Sequence, residues 1–251
     1  MYIAGYQKLT LLDYPTKVAA ICFTAGCQLR CAYCHNADLV MCKNNQFDKT
    51  LNQTESFLRY VEKRKACLEG VVISGGEPLL QENIEIFATE IKRMGLQVKL
   101  DTNGLLPERL NRLLEQKAVD YVALDYKNCH QYWNDTVGLH QSEEQKSNQM
   151  KQWRQSLFLL RKSDISYEIR TTVVRQLHPA EALLQMAKKL SMTENKKEKW
   201  YLQPFKQSGM ILQDYTTEHE NKKMFDAYLP QEMQQIIEQV KQYVPGARWR
   251  Q

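Results

Sequence analysis

The sequence predicts an α/β fold built on a parallel sheet, and three observations carry that prediction. Strand-like and helix-like segments alternate along nearly the whole chain, giving about six β/α units with right-handed crossovers. The 251 residues suffice for one sizeable domain with a single core. Chemically distinctive residues recur at the carboxyl ends of the strands, where parallel folds bind their ligands. Two architectures fit: a doubly wound open sheet, or a barrel left partial because about six units fall short of eight. A single domain over residues 1–251 is expected, with its core over about 18–206 and a C-terminal helix over 230–244.

Each element has its own signal. Val18–Thr24 is a short apolar run and reads as a buried strand, with Leu12–Pro15 as a turn before it. Thr54–Glu69 is an amphipathic helix with Thr54 as N-cap. Gly70–Ser74 is a strand, and the following helix stops at Gly95. The strand Gln97–Asn103 leads to a helix opened by Pro107. Asp120–Lys127 is a strand. Asn128–Gln149 is long and polar and reads as a loop, either partner-contacting or a tolerated insertion. A helix over Gln152–Ser163, a strand over Ser166–Val174, a helix over Pro179–Ser191 and a strand over Trp200–Phe205 follow. A helix from Pro230 to Val244 closes the chain. The basic stretch Lys196–Trp200 reads as a solvated turn.

Composition narrows the function classes. Charged residues are 25% and hydrophobic ones 43%, an ordinary globular balance. A net charge of +5 without a long Lys/Arg run argues against a nucleic-acid partner. The first residues lack the charged and apolar regions of a secretory signal, and no apolar run is long enough to span a bilayer. A cytoplasmic protein without membrane partner is expected. There are seven cysteines, an odd number that argues against a disulfide framework.

Three of them, Cys27, Cys31 and Cys34, form C-x3-C-x2-C. A [4Fe–4S] cluster takes four thiolates, so three leave one iron open to a substrate. Zinc on the three thiols with His35 competes, although adjacent Cys34 and His35 strain a tetrahedral site. Unligated loop thiols are the bland alternative.

With Tyr33 ahead of the last cysteine, "CQLRCAYC" resembles the signature of the radical S-adenosylmethionine (radical SAM) enzymes. The resemblance implies a partial (β/α)6 TIM-like barrel and one [4Fe–4S] cluster on Cys27, Cys31 and Cys34. It implies S-adenosylmethionine as cosubstrate, split to methionine and a 5′-deoxyadenosyl radical. Tyr33 is then expected near the adenine. "SGGEP" (Ser74–Pro78) resembles the motif that receives the amino group, which makes Gly75, Gly76 and Glu77 candidates. Asp101, Thr102 and Asn103, with Asp125 and Lys127, resemble elements of the glycyl-radical activating branch. There they lie by the cosubstrate and, in some members, a monovalent cation. Arg170 is a candidate for a carboxylate or the ribose region, and Gln203 for the rim. Structural readings stand beside these: a tight turn at Gly75–Gly76, an Asp125–Lys127 pair on one strand face, and an ion pair at Arg170.

"CHN" after the cluster motif and "LDYP" at Leu12–Pro15 resemble the activating proteins of anaerobic ribonucleoside-triphosphate reductase. The resemblance runs from Gly5 to about Phe205 and fades over Asn128–Met150 and beyond Gln207. It implies an activase that generates a glycyl radical on that reductase, with flavodoxin or ferredoxin as electron donor. Pyruvate formate-lyase activation is the nearest rival. A small-molecule radical enzyme, an electron carrier and a structural zinc or nucleic-acid-binding module stand further off. The chain lacks the eight-iron ferredoxin-like insert of several activases. Cys22 is expected to be a small buried residue, and Cys42, Cys67 and Cys129 receive no role. His130 and His140 are expected in solvent, and His178 at a helix entry.

Overall fold

The computed structural model describes residues 1–41, 52–192, 198–207, 209–216 and 222–250. In chain order its elements are β1 (Ile3–Thr10), β2 (Ala19–Thr24), α1 (Ala37–Met41), α2 (Thr54–Arg64), β3 (Gly70–Gly75), α3 (Ile84–Arg93), β4 (Gln97–Thr102), α4 (Pro107–Glu115) and β5 (Tyr121–Asp125). Then come α5 (Trp133–Val137), α6 (Glu143–Lys162), β6 (Ser166–Val173), α7 (Ala180–Ser191), β7 (Trp200–Pro204), α8 (Leu212–Thr216), α9 (Pro230–Lys241) and β8 (Arg248–Trp249). The fold is mixed α/β with a parallel sheet, as expected.

The chain divides into two compact units: Met1–Gln28, Asp38–Leu124 and Gln152–Tyr167 form the first, and Leu29–Ala37, Asp125–Lys151 and Glu168–Gln251 the second. In the first, β1 pairs antiparallel with β2, and β2, β3, β4 and β5 follow in parallel. β2 and β3 carry continuous apolar runs, as strands of a parallel sheet covered by helices do; Ala19–Cys22 and Val71–Ile73 are buried accordingly. α3 buries Ile84, Phe87, Ala88 and Ile91, one stripe at helical spacing. In the second unit, β6, β7 and β8 run parallel, and α7 buries Ala182, Leu183, Met186, Ala187 and Leu190.

Several expectations need correction. Leu12–Pro15 is a turn as expected, but the strand it feeds is not the first: β1 precedes it as an edge strand with exposed residues in its second half, so it lacks an apolar run. Thr54 is the first helical residue rather than the cap, and Asn52 Oδ1 accepts the Thr54 N–H at 3.1 Å. The Asn128–Gln149 segment is not a loop, since α5 and the first turns of α6 fall within it. Trp133 there is fully buried, and its indole donates to Gln149 Oε1 at 2.7 Å. In Lys196–Trp200, the residues 196 and 197 lie outside the described ones, as does Cys42; Glu198 and Trp200 are buried, not solvated. Cys22 is buried and Cys67 exposed. Among the described residues no helix is long and apolar enough to cross a membrane.

Candidate functional site

In the first unit the site grows from the end of β2, where Thr24, Ala25 and Gly26 lead into Cys27. The corner after β3 lies against this stretch. The Gly76 N–H donates to Thr24 O at 2.8 Å and the Glu77 N–H to Gly26 O at 2.7 Å. Contact this close requires glycine. A Cβ at Gly76 would meet Gly26 O at 2.0 Å, and at Gly75 (φ +121) it would meet Thr24 N at 2.3 Å. The paired glycines therefore dock "SGGEP" onto the cysteine-bearing chain.

Glu77 ties this corner to the end of β4. Its buried carboxylate accepts Thr102 Oγ1 at 2.7 Å, Leu79 N at 3.1 Å and Asn103 N at 2.8 Å. The Asn103 side chain then turns toward the cysteine, with Nδ2 donating to Cys27 Sγ at 3.9 Å. Asp101 accepts from Ser74 Oγ at 3.1 Å and pairs with Lys99, whose side chain is 1% exposed. Lys99 was not singled out from the sequence. Its signal was Lys-x-Asp at strand spacing, which puts both charges on one face.

In the second unit the loop continues through Cys31, Tyr33 and Cys34. The Cys34 N–H donates to Cys31 O at 2.9 Å. The loop is braced from both sides. Arg30 N–H reaches Val137 O at 2.8 Å, while Ala32 O and Cys34 O accept Gln213 N and Leu212 N at 3.0 and 2.9 Å. Gly138 (φ +67) closes α5 where a Cβ would meet Arg30 O at 1.8 Å. Tyr33 is buried and meets Phe225 edge-on at 6.4 Å between centroids. The His35 ring stacks flat on Phe205 at 5.3 Å.

Beside these residues stands a charge group at the end of β5. Asp125 pairs with Lys127 at 3.0 Å and with Arg170 at 3.1 Å. Burial works to raise the Asp125 carboxyl, but the two cations outweigh it and hold the group below its ordinary value. Burial likewise opposes charge on Lys127, yet Asp125, Tyr33 and Cys31 hold its ammonium well above the usual value. Cys31 is pushed up to about 11, by burial first, with Lys127 pulling down and Cys34 and Asp125 pushing up. Burial also raises Cys34 and Tyr33. Cys31 and Cys34 thus keep their protons near neutrality, and a metal that bound them would displace those protons.

The candidate residues fall into two neighbourhoods. Cys27, Gly75, Gly76, Glu77, Asp101, Thr102 and Asn103 gather in the first unit, and Cys31, Tyr33, Cys34, Asp125, Lys127 and Arg170 in the second. Gln203 sits half-buried on β7, opposite Thr172. His130 and His140 are exposed as expected. His178 stands at the entry of α7, just before its N-cap Pro179, as expected, and is fully buried there. Cys129 is also buried.

The donor set suits a soft metal centre. All three loop thiols are free of disulfides, and sulfur donors select zinc or iron–sulfur clusters. His35, the imidazole of the zinc alternative, lies stacked on Phe205. Among the described residues no three His, Cys, Asp or Glu side chains stand as a ready-made cage. The fit therefore rests on donor chemistry and on the braced loop.

Comparison with known proteins agrees. The radical SAM superfamily model matches residues 21–190, more than half of the chain. A Methanocaldococcus jannaschii protein with the provisional name glycyl-radical enzyme activating enzyme is 31% identical over 187 residues, 74% of each chain. The pyruvate formate-lyase-activating enzyme of Staphylococcus aureus (strain USA300) is 36% identical over 133 residues. That match covers 50% of this chain and 53% of that protein, so the chain spans about half of its length. Among solved structures, Streptococcus suis SuiB bound to S-adenosylmethionine superposes with a TM-score of 0.62 at 16% identity, covering 92% of this chain and 49% of that one. TYW1 with a lysine-pyruvate adduct gives a TM-score of 0.58 at 12% identity, covering 89% and 73%. At such identities these structures speak for the fold alone. The superfamily implies a [4Fe–4S] cluster and S-adenosylmethionine. The chain belongs to the radical SAM superfamily, in its glycyl-radical enzyme activating branch.

Proposed function

We propose that this chain generates a glycyl radical on a partner protein, and that the partner is an anaerobic ribonucleoside-triphosphate reductase. The observation that carries the reading is the braced loop Cys27–Cys34, with Asp125 and Lys127 within electrostatic reach of Cys31. In this reading Cys27, Cys31 and Cys34 hold one [4Fe–4S] cluster. When bound, the cluster supplies the electron that cleaves S-adenosylmethionine, whose 5′-deoxyadenosyl radical removes a hydrogen atom from the partner's glycine.

The chain's own residues bind and orient. Tyr33 offers a buried aromatic wall to the adenine. Gly75 and Gly76 bring main chain close to the cosubstrate's amino group, and Glu77 locks that corner through Thr102 and Asn103. Lys127 and Arg170 supply positive charge to a carboxylate, and Asp125 and Asp101 supply oxygen to an ammonium or a monovalent cation. Gln203 faces the rim. Reduced flavodoxin or ferredoxin delivers the electron in the cytoplasm.

"LDYP" at Leu12–Pro15 supports the reductase as partner. Pyruvate formate-lyase is the second reading, supported by the similarity to the Staphylococcus aureus activating enzyme. Electron paramagnetic resonance separates them. The reduced, cluster-loaded chain is mixed anoxically with S-adenosylmethionine and with each candidate partner in turn. A glycine-centred radical on the reductase alone is expected. A radical on the lyase alone would transfer the assignment, and none on either would overturn it.

A further inference from the structure

The charge group at the end of β5 depends on main chain that no strand fixes. β5 ends at Asp125, so Lys127 lies two residues past the last ladder position. Tyr126 is still tied: its N–H donates to Arg170 O at 2.7 Å, and its carbonyl accepts Thr171 Oγ1 at 2.7 Å. The next carbonyl, that of Lys127, meets a side chain instead. His178 Nε2 lies 2.7 Å from Lys127 O.

That contact defines the histidine's chemistry. A carbonyl oxygen only accepts, so Nε2 carries the proton and donates. Nδ1 then presents a lone pair, and the Val174 N–H donates to it at 3.1 Å. Val174 O also lies 3.2 Å from Nδ1, but it already accepts the main-chain N–H of His178 at 2.8 Å. The opposite tautomer would set a lone pair against Lys127 O and strand the Val174 N–H. The ring is fully buried, with both nitrogens used. Burial lowers its pKa to about 4, which keeps it neutral. Its own carbonyl is held in turn by the Tyr228 hydroxyl at 2.9 Å.

We propose that His178 is a positioning residue for cosubstrate binding: its Nε2–H holds the Lys127 carbonyl, and so aims the lysine ammonium at Asp125 and the cosubstrate carboxylate. The inference rests on the reading of Lys127 and Asp125 as cosubstrate contacts. A glutamine amide reaches about as far as Nε2, whereas an asparagine amide ends near Nδ1 and cannot reach Lys127 O.

The test compares His178→Gln and His178→Asn in the cluster-loaded full chain. Calorimetry measures S-adenosylmethionine binding, and amide hydrogen exchange follows peptides spanning residues 121–130. Thermal melting of both variants controls for folding. The inference predicts about tenfold weaker binding and faster exchange in His178→Asn. Both return to near wild-type values in His178→Gln. A purely structural histidine would lower the melting temperature of both variants without separating them in affinity or exchange, and that result overturns the proposal. Unchanged exchange in His178→Asn overturns it whatever the affinities are. Wild-type protein that binds no S-adenosylmethionine would contradict the underlying reading instead, and the exchange data would still report on the Lys127 contact.

Discussion

Asn103 holds its side-chain nitrogen 3.9 Å from the sulfur of Cys27. The same residue is anchored by its main-chain N–H on Glu77 and by its Oδ1, which accepts the Leu105 N–H at 3.0 Å. The amide is therefore aimed at the sulfur by the chain around it. Hydrogen bonds to cluster sulfurs stabilise the more negative, reduced state and raise the potential. Asn103→Leu should lower the cluster's reduction potential. A contact of about 1 kcal/mol corresponds to on the order of 40 mV for one electron. Redox titration followed by electron paramagnetic resonance measures this; an unchanged potential would remove Asn103 from the cluster's surroundings.

Gly76→Ala should be among the most damaging single substitutions in the first unit. The new Cβ would meet Gly26 O at 2.0 Å, and main chain on both sides cannot yield as a flexible side chain could. A loss of about 3 kcal/mol or more is expected in denaturant unfolding. Gly5→Ala is the control, because nothing lies within 4 Å of its Cβ position; it should stay within about 0.5 kcal/mol.

Asp125→Asn keeps the shape of its side chain and removes the charge that Lys127 and Arg170 face. The three side chains retain 18–28% of their exposure. The cost should therefore be about 2 kcal/mol, below that of breaking a fully buried pair. Affinity for S-adenosylmethionine should fall as well. Denaturant unfolding and calorimetry on one preparation would show both effects; full stability with unaltered affinity contradicts the role given to Asp125.

Stability should fall in mild acid through His178. Its folded pKa, about 4, lies below the ordinary 6.5, so the unfolded chain takes up the proton first as pH drops. The contribution is present in full above pH 6.5 and is lost as pH falls from there through about 4. The gap is worth about 3 kcal/mol. The difference in unfolding free energy between wild type and His178→Gln, measured from pH 7.5 to 4, should shrink in favour of the variant. A constant difference would mean that the ring titrates normally.

The sequence made the middle of the fold legible and its margins less so. β2, β3 and β5 carry buried apolar runs, which composition alone finds, while β4 interleaves Lys99 and Asp101 with its apolar residues. β1 is an edge strand with one solvated side, so it lacked that signal. α6 began earlier than its apolar periodicity, yet its start was written locally. Ser142 and Gln145 cap one another, Ser142 Oγ accepting Gln145 N at 3.2 Å and Gln145 Oε1 accepting Ser142 N at 3.0 Å. That Ser-x-x-Gln pattern is readable before the structure.

At the site, motif spacing pointed to the cysteines, to "SGGEP" and to the Asp125–Lys127 pair. It could not show what each residue touches. Gly75 and Gly76 face the chain's own Thr24 and Gly26. Lys99 pairs with Asp101 on its own strand, a Lys-x-Asp pattern that is readable locally, whereas the contact of His178 with Lys127 O joins residues 51 apart, which no local pattern encodes.

The most direct test of the account is cosubstrate cleavage by the reconstituted chain. Protein loaded with iron and sulfide under anoxia is given dithionite and S-adenosylmethionine, and 5′-deoxyadenosine is measured by chromatography. The account predicts product from the wild type and none from Cys31→Ala. A cluster-loaded wild type that yields no 5′-deoxyadenosine, or a Cys31→Ala protein that yields it undiminished, would contradict the account.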